Sequence, residues 1–403
     1  MYSAKINRRQ LFKVGTTSFI NALGASIFVY ALSLYLLKVT GSAFSYGTSL
    51  FVGPIIGILL SPITGRVIDR SDHKKVAIFS EIALIIVIVL FLIVFNELNT
   101  RYLYVVAVIF ISFSEICARF FTLTYLSSTP EMVDENYHQR LNSIQTMSNS
   151  VASIISAPIA GVLVAKIDFN YIICIEIITE LLTLLMVYIT PFGNDSSNVK
   201  RITKSTQKID FFKNYREIVI FGFFAIISNF MNALMQIGVP YVIVNKLDKS
   251  TEVSGNLQGL FSWGVFLGGV FITLITFKSQ LKVVKKIYFL NFGALAILGI
   301  CLKFSSINTI IIFAIFELVL GLLNGLADPP PFFTYIQSVV PRENLGQVNT
   351  YLYTIVQFLT PLGILTYSAL IEMIDYKLLF FVNGLVALIM VLIILEVVKV
   401  ARK

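Results

Sequence analysis

Long apolar stretches alternate with short polar segments along the whole chain of 403 residues. A helix needs roughly 20 mostly apolar residues to cross about 30 Å of hydrocarbon. The stretches that reach this length lie near 11–37, 44–66, 75–95, 101–127, 143–165, 170–191, 216–244, 254–277, 284–303, 307–330, 346–370 and 376–400. The pattern therefore predicts an all-α membrane protein with twelve transmembrane helices.

A long polar segment between the sixth and seventh stretches divides the chain. We predict an N-terminal six-helix half at 1–192, a linker at 193–215 and a C-terminal six-helix half at 216–403. The sequence FINAL at 19–23 is repeated as FMNAL at 230–234, which predicts that the halves are pseudo-symmetric repeats. Membrane proteins built from such repeats hold their ligand sites between the halves. We therefore expect the site there.

Composition supports solvation by lipid. The chain is 57% hydrophobic and 13% charged, with a mean hydropathy of +0.84, which leaves too little polar surface for a water-soluble globule. The first apolar run lacks a small-residue cleavage site, so we expect a retained span. Cys117, Cys174 and Cys301 all lie in apolar runs away from metal-ligand spacings. We expect no disulfide, no bound metal and no cofactor.

The basic residues predict the orientation. Most of the 31 Lys and Arg residues lie in the N-terminal segment, the linker and the loops on the same predicted side. Basic loops face the cytoplasm, so we expect a multi-pass protein of the cell membrane with both termini cytoplasmic. The net charge of +9 then reflects loops that face anionic lipid headgroups. We expect membrane lipids, and no nucleic acid, as partners.

The loop after the second predicted helix reads GRVIDRSDHKK at 65–75. It resembles the signature of the major facilitator superfamily, although positions 72 and 73 depart from the usual pattern. The resemblance implies the major facilitator fold and a cytoplasmic gating motif formed by Gly65, Asp69, Arg70, Lys74 and Lys75. Glycine permits close helix approach, and the Asp can accept charge-assisted hydrogen bonds. The alternative is an ordinary basic loop.

The fifth predicted helix contains SAPIAG at 156–161. It resembles the Gly-Pro-x-x-Gly core that drug:proton antiporters of this superfamily carry in helix five, with Ala157 in place of the first glycine. Pro158 lacks an N–H, and Gly161 allows close packing, so the segment can act as a bend. The alternative is an ordinary proline kink. Over the whole chain, the sequence is similar to twelve-helix bacterial exporters that include macrolide efflux proteins.

Several ionisable residues fall inside predicted helices. A charge at mid-bilayer costs several kcal/mol unless it is paired, hydrated or neutralised. The candidates for proton coupling are Glu317, Asp328, Glu176, Glu180 and Glu115, of which we rank the first two highest. Glu115 can also pair with Arg119 one turn further along its helix. For each acid, a structural bond to a hydroxyl or amide of a neighbouring helix is the alternative role.

Polar and aromatic side chains in the core helices are candidates for binding a substrate. The first and seventh helices carry amides at Asn21, Asn229, Asn232 and Gln236, which can bond either a ligand or a neighbouring helix. Trp263, the only tryptophan, can stack on a flat ligand or anchor its helix at the membrane interface.

The remaining motifs limit the function. The sequence contains no phosphate-binding P-loop, and both histidines, His73 and His138, lie in predicted loops. We identify no catalytic residues. A membrane-embedded, lipid-acting enzyme with Glu115 and Glu317 as acid and base is the rival class.

Taken with the resemblance, these features lead us to expect a secondary active transporter. It would export small, mostly apolar molecules by alternating access, in exchange for protons and as a monomer. An importer or uniporter of a small solute is the alternative.

Overall fold

The structure, a computed structural model, describes residues 4–68, 71–97, 100–128, 132–192, 216–274, 280–327, 336, 339–340 and 359–400. Within these residues, twelve α-helices form and no strand does. Most of the N-terminal half is covered by α1 Ala4–Thr40, α2 Ala43–Ile68, α3 His73–Glu97, α4 Thr100–Ser127, α5 His138–Lys166 and α6 Phe169–Ile189. The others are α7 Arg216–Tyr241, α8 Thr251–Leu274, α9 Gln280–Phe304, α10 Thr309–Ala327 and α12 Tyr376–Val400, with α11 at Leu359–Met373.

Ten of these helices are long and apolar enough to cross a membrane. The predicted all-α architecture and the predicted number of helices are confirmed. The predicted linker at 193–215 and the first part of the predicted eleventh helix lie outside the described residues. The chain groups into two compact units, Met1–Gly41 with Thr48–Ile202 and Ser42–Gly47 with Thr203–Lys403.

The first unit is built around α1, which packs against α5 and α6, while α3 packs against α4 and α6. Aromatic rings fill the space between four of these helices. Phe91 of α3 stacks on Phe110 of α4 with ring centroids 4.1 Å apart, and Tyr35 of α1 stacks on Phe169 of α6 at 4.3 Å. Stacked pairs add stability beyond their buried area. They fix the relative positions of α1, α3, α4 and α6.

The second unit has its tightest helix pair in α8 and α10. A Cβ atom on Gly264 or Gly268 of α8 would overlap the α10 backbone at Leu318 or Leu322. Gly321 and Gly325 of α10 are equally close to the backbone of α8. Two Gly-x-x-x-Gly stripes therefore face each other, an arrangement that lets helix backbones touch in lipid.

The pairing pattern within the first unit recurs within the second. Helix α3 packs on α4 and α6, and α9 packs correspondingly on α10 and α12. The outward faces of the helices expose large apolar side chains, including Phe79, Ile93, Tyr171, Phe271 and Ile315. Such faces are those of a protein solvated by hydrocarbon.

Candidate functional site

A cavity of about 230 Å³ lies inside the second unit, between α7, α8, α10 and α11. Most of the side chains that line it are polar, and five of them are amides. The lining consists of Asn229, Asn232, Ala233, Met235, Gln236, Gln258, Phe261, Glu317, Leu320, Asn324 and Thr360. An amide both donates and accepts hydrogen bonds, so this wall can bind a ligand that carries hydroxyl, carbonyl or amine groups.

Among the described residues, Glu317 is the only acid that lines the cavity. It lies in the middle of α10 and is 1% exposed. Its Oε1 is buried without a hydrogen-bond partner among the described residues. Since an ionised carboxylate needs a cation or hydrogen-bond donors in an apolar medium, Glu317 is placed to accept a proton or a ligand that supplies such groups.

Glu317 and Asn324 occupy the same face of α10, since they are separated by two helical turns. The adjacent face of α10 carries Gly321 and Gly325, which press against α8. Close contact with α8 therefore sets the depth at which Glu317 and Asn324 lie in the cavity, opposite Gln258 and Phe261 of α8.

Asn232 is oriented by its neighbours and retains an unused acceptor. Its Nδ2 donates to Ser228 Oγ at 3.3 Å, and Ser228 Oγ donates to Asn291 Oδ1 of α9 at 3.1 Å. The Oδ1 atom of Asn232 is buried without a partner among the described residues. A hydrogen-bond donor on a ligand in the cavity can therefore bind there.

The structure brings three of the four amide candidates, Asn229, Asn232 and Gln236, together with Glu317. Trp263 does not line this cavity. It is 51% exposed and makes an edge-to-face contact with Phe266 at 5.9 Å. Asp328 lies outside the described residues, so its role stays a prediction.

The fourth amide, Asn21, lies in the first unit beside Glu180 of α6. Glu176, one turn earlier on α6, is also close, and both acids are buried. The structure adds Glu81 of α3, which also lies next to Glu180. Three carboxyls from two helices therefore meet inside the first unit.

Glu115 and Arg119 of α4 face a pair of glycines on α2. A Cβ atom on Gly53 would be 3.2 Å from Glu115 Oε2, and one on Gly57 would overlap Arg119 Nη2. Arg119 attracts Glu115 electrostatically, but its Nε is buried without a hydrogen-bond partner among the described residues. The two glycines make room for both charged side chains where α2 passes α4.

The signature loop is only partly described. Gly65 lies in α2, while Asp69 and Arg70 lie outside the described residues. Lys74 Nζ donates to the carbonyl oxygens of Tyr188 at 2.9 Å and of Thr190 at 3.0 Å.

The two lysines of this loop differ in their surroundings. Lys75 has a side chain that is 85% exposed and is 3.7 Å from the carboxylate of Asp72. Lys74 therefore caps the C-terminus of α6 rather than extending freely toward lipid headgroups, whereas Lys75 is solvent-facing.

Helix α5 continues through Pro158 from His138 to Lys166. Ala157 is buried, and Ser156 Oγ donates to the carbonyl oxygen of Ser153 at 3.1 Å. The segment with Ala157, Pro158 and Gly161 is therefore a proline-containing stretch of an unbroken helix. Its role as a bend that moves during function stays a prediction.

Comparison with known protein families identifies the family of this chain. The family model described as Major Facilitator Superfamily matches residues 14–364. The chain belongs to the Major Facilitator Superfamily. It is therefore a multi-pass transporter rather than an enzyme, and the resemblance of the chain to this superfamily is confirmed.

Relatives within the superfamily differ in what they carry. Macrolide efflux protein A of Streptococcus pyogenes is 21% identical over 384 residues, which cover 91% of this chain and 90% of that protein. A mutant form of a nucleoside transporter has a similar structure, with a TM-score of 0.72, 12% identity, and coverage of 96% of this chain and 99% of that one. A D-xylose-proton symporter gives a TM-score of 0.69 at 14% identity, covering 95% and 97%.

Sequence reasoning about this superfamily member missed Glu81, Gln258, Asn324 and Thr360. Glu81 and Asn324 carried a usable signal, because each is a polar side chain inside an otherwise apolar span. Gln258 lies close to polar residues at the start of α8, and Thr360 resembles many other span threonines. Their place in the cavity wall depends on how the helices pack.

Proposed function

We propose that this protein is a secondary active transporter that exports small organic molecules in exchange for protons by alternating access. The observation that carries the proposal is the position of Glu317, a buried carboxyl in the wall of an amide-lined cavity, for which the described part of the chain supplies no cation partner. A group in this position can bind either a proton or a cationic or hydrogen-bonding substrate. Because the proton and the substrate compete for this carboxyl, the protein carries them across the membrane in opposite directions.

The exchange follows from charge neutrality in the cavity. When Glu317 is protonated, it is neutral, and burying it costs little free energy. Release of the proton leaves a carboxylate that favours a substrate with an amine or several donors. Asn232 and Asn324 then orient the substrate through hydrogen bonds, while Phe261 and Leu320 contact its apolar part.

Export is supported by sequence similarity to a macrolide efflux protein over nearly the whole chain. The proline-containing segment of α5, which resembles the antiporter motif, supports the same direction. We propose a monomer in the cell membrane with both termini cytoplasmic, since the basic residues concentrate on that predicted side.

The lining refines the expected substrate. The sequence favours a mostly apolar molecule, and the cavity in the second unit adds five amides and one carboxyl among its eleven lining residues. Sites of this kind use a few placed polar groups to fix orientation and apolar groups for contact area. We therefore propose an amphipathic substrate with a polar, hydrogen-bonding part and an apolar part.

Uptake of a polar solute is the second candidate, because an amide-lined wall is also what a hydroxylated solute requires. The nucleoside transporter and the D-xylose-proton symporter have similar folds. Under this alternative, the solute and the proton move in the same direction.

An accumulation assay tests both candidates. Cells with and without the protein are given a labelled macrolide, a nucleoside and D-xylose, each before and after collapse of the proton gradient. We expect lower macrolide accumulation in cells with the protein, and loss of that difference when the gradient collapses. Higher accumulation of the nucleoside or sugar that depends on the gradient would favour the importer.

A further inference from the structure

Three buried glutamates meet inside the first unit at a place that the proposed transport mechanism does not use. Glu81 of α3 is 0% exposed, Glu180 of α6 is 1% exposed and Glu176 of α6 is 5% exposed. Glu180 has both other acids and Asn21 of α1 as its immediate neighbours. We call these three residues the carboxyl trio.

The hydrogen bonds around the carboxyl trio are incomplete. Thr179 Oγ1 lies 3.2 Å from Glu176 Oε2, and Asn21 contacts Glu180. Both carboxyl oxygens of Glu81 and Oε2 of Glu180 are buried without a partner in the described part of the chain. Ionised carboxylates only accept hydrogen bonds, so Glu81 and Glu180 cannot satisfy each other unless a proton lies between them.

Among the residues that the structure describes, no cation lies beside these carboxyls. The groups that approach the carboxyl trio from the neighbouring helices are Asn21 of α1 and Cys117 of α4, together with Thr179 on α6 itself. Arg119 of α4 instead faces Gly57 of α2. Three ionised carboxylates in such a site would cost far more than the hydrogen bonds present can return.

The backbone of α1 closes over the carboxyl trio. A Cβ atom on Gly24 would overlap Thr179 Oγ1 and be 3.1 Å from Glu176 Oε2. Any side chain at this position would therefore push α1 away from α6. The three helices α1, α3 and α6 therefore pack closely where Gly24 meets the three acids.

We propose that the carboxyl trio is a proton-binding site of the first unit, in which Glu81 and Glu180 share a proton. The shared proton links α3 to α6 at the place where α1 covers both helices. A proton fits better than a metal ion, because the described residues contain no group of three or more acids, histidines or cysteines arranged to hold a metal. The site goes beyond the proposed transport function, since it does not depend on Glu317 or on the cavity in the second unit.

Infrared spectroscopy of the purified full-length protein in detergent tests the shared proton. The carbonyl stretch of a protonated carboxyl is distinct from the bands of a carboxylate. We expect intensity in this band to be lost in Glu81→Gln and in Glu180→Gln relative to the unmodified protein. The matched control is Glu97→Gln, which changes an exposed acid on the same helix as Glu81 and should leave the band unchanged.

Thermal unfolding at a series of pH values gives a second, independent measurement. If the folded state holds protons that the unfolded chain releases, the free energy of unfolding falls as the pH rises. Glutamine mimics the protonated acid, so Glu81→Gln should unfold at a temperature that depends less on pH than that of the unmodified protein. Glu97→Gln should follow the unmodified protein.

Two results would overturn the proposal. One is an unchanged carbonyl band in both Glu81→Gln and Glu180→Gln. The other is a thermal stability that rises when sodium replaces choline in the buffer, which would indicate a metal cation instead of a proton. If one variant does not fold, the other removes the opposite half of the shared bond. Neither measurement involves transport, so failure here is distinguishable from failure of the proposed exporter.

Discussion

Gly321 of α10 lies directly against the backbone carbonyl of Phe261 in α8. Gly321 is one turn after Glu317, and Phe261 lines the same cavity as Glu317. A side chain at position 321 would separate the two helices and widen the cavity wall. The backbone contact therefore holds the buried carboxyl in register with the groups that face it.

The contact between α8 and α10 makes a prediction about two adjacent glycines. A Cβ atom on Gly268 would overlap the backbone of α10, whereas one on Gly269 would meet nothing within 4 Å. Overpacking costs about 1–3 kcal/mol, while replacing a helical glycine by alanine otherwise gains up to about 1 kcal/mol.

Gly268→Ala should therefore lower the unfolding temperature in detergent, and Gly269→Ala should leave it unchanged or raise it. Differential scanning fluorimetry of the two variants provides the measurement. Equal effects in both variants would contradict the backbone contact.

The different environments of the two lysines at the start of α3 make a second prediction. Lys74 Nζ donates to two carbonyl oxygens at the end of α6, whereas Lys75 is exposed. Hydrogen bonds from a charged group contribute about 1.5–3 kcal/mol. Lys74→Met should lower the unfolding temperature clearly, and Lys75→Met should change it little. A larger decrease of the unfolding temperature in Lys75→Met than in Lys74→Met would show that the cap on α6 does not stabilise the fold.

Glu115 and Arg119 provide a double-mutant cycle. Glu115→Gln should reduce the yield of folded protein because it leaves Arg119 without a compensating charge, and adding Arg119→Met should partly restore the yield. In the free energy of unfolding, we expect a coupling of about 0.5–3 kcal/mol between Glu115 and Arg119. The control cycle combines Arg119→Met with Glu97→Gln, for which the effects should add. Additive losses in the Glu115 cycle would show that the two side chains act independently.

The sequence predicted the helices well, because an apolar run of membrane-spanning length has few alternatives. It also predicted that Glu317 and the amides of α7 have functional potential, since polar side chains inside a span are costly. It did not predict that Asn21 and Glu180 would be neighbours in one unit while Asn232 and Glu317 would share a cavity in the other. These contacts depend on which faces of α1, α6, α7 and α10 meet. The four helices are all apolar, so their hydropathy does not indicate which faces pack together.

Trp263 and Lys74 show a second limit of sequence reasoning. Trp263 was a candidate because it is unique in the chain, but it is exposed on α8 outside the cavity wall. The family resemblance places Lys74 in a gating motif, and in the structure its side chain caps α6. Residue type alone did not identify which of its possible partners each side chain contacts.

The orientation of the chain makes a topology prediction. Reporter fusions after Lys75 and after Lys403 should report the cytoplasm, and a fusion near Asn99 should report the exterior, because basic loops remain on the cytoplasmic side. A cytoplasmic signal from the fusion near Asn99 would contradict the proposed orientation.

We propose that Glu317 exchanges a proton for substrate, and transport by Glu317→Gln in reconstituted vesicles measures this exchange. Glutamine mimics the protonated acid permanently while keeping the volume of the side chain, so the cavity should remain intact. Transport of the solute identified by the accumulation assay is measured with and without a pH gradient and normalised to folded protein, with Glu97→Gln as the control. We predict that Glu317→Gln loses transport driven by the pH gradient yet still exchanges solute across the membrane, while Glu97→Gln behaves as the unmodified protein. Full gradient-driven transport by Glu317→Gln would contradict proton exchange at Glu317.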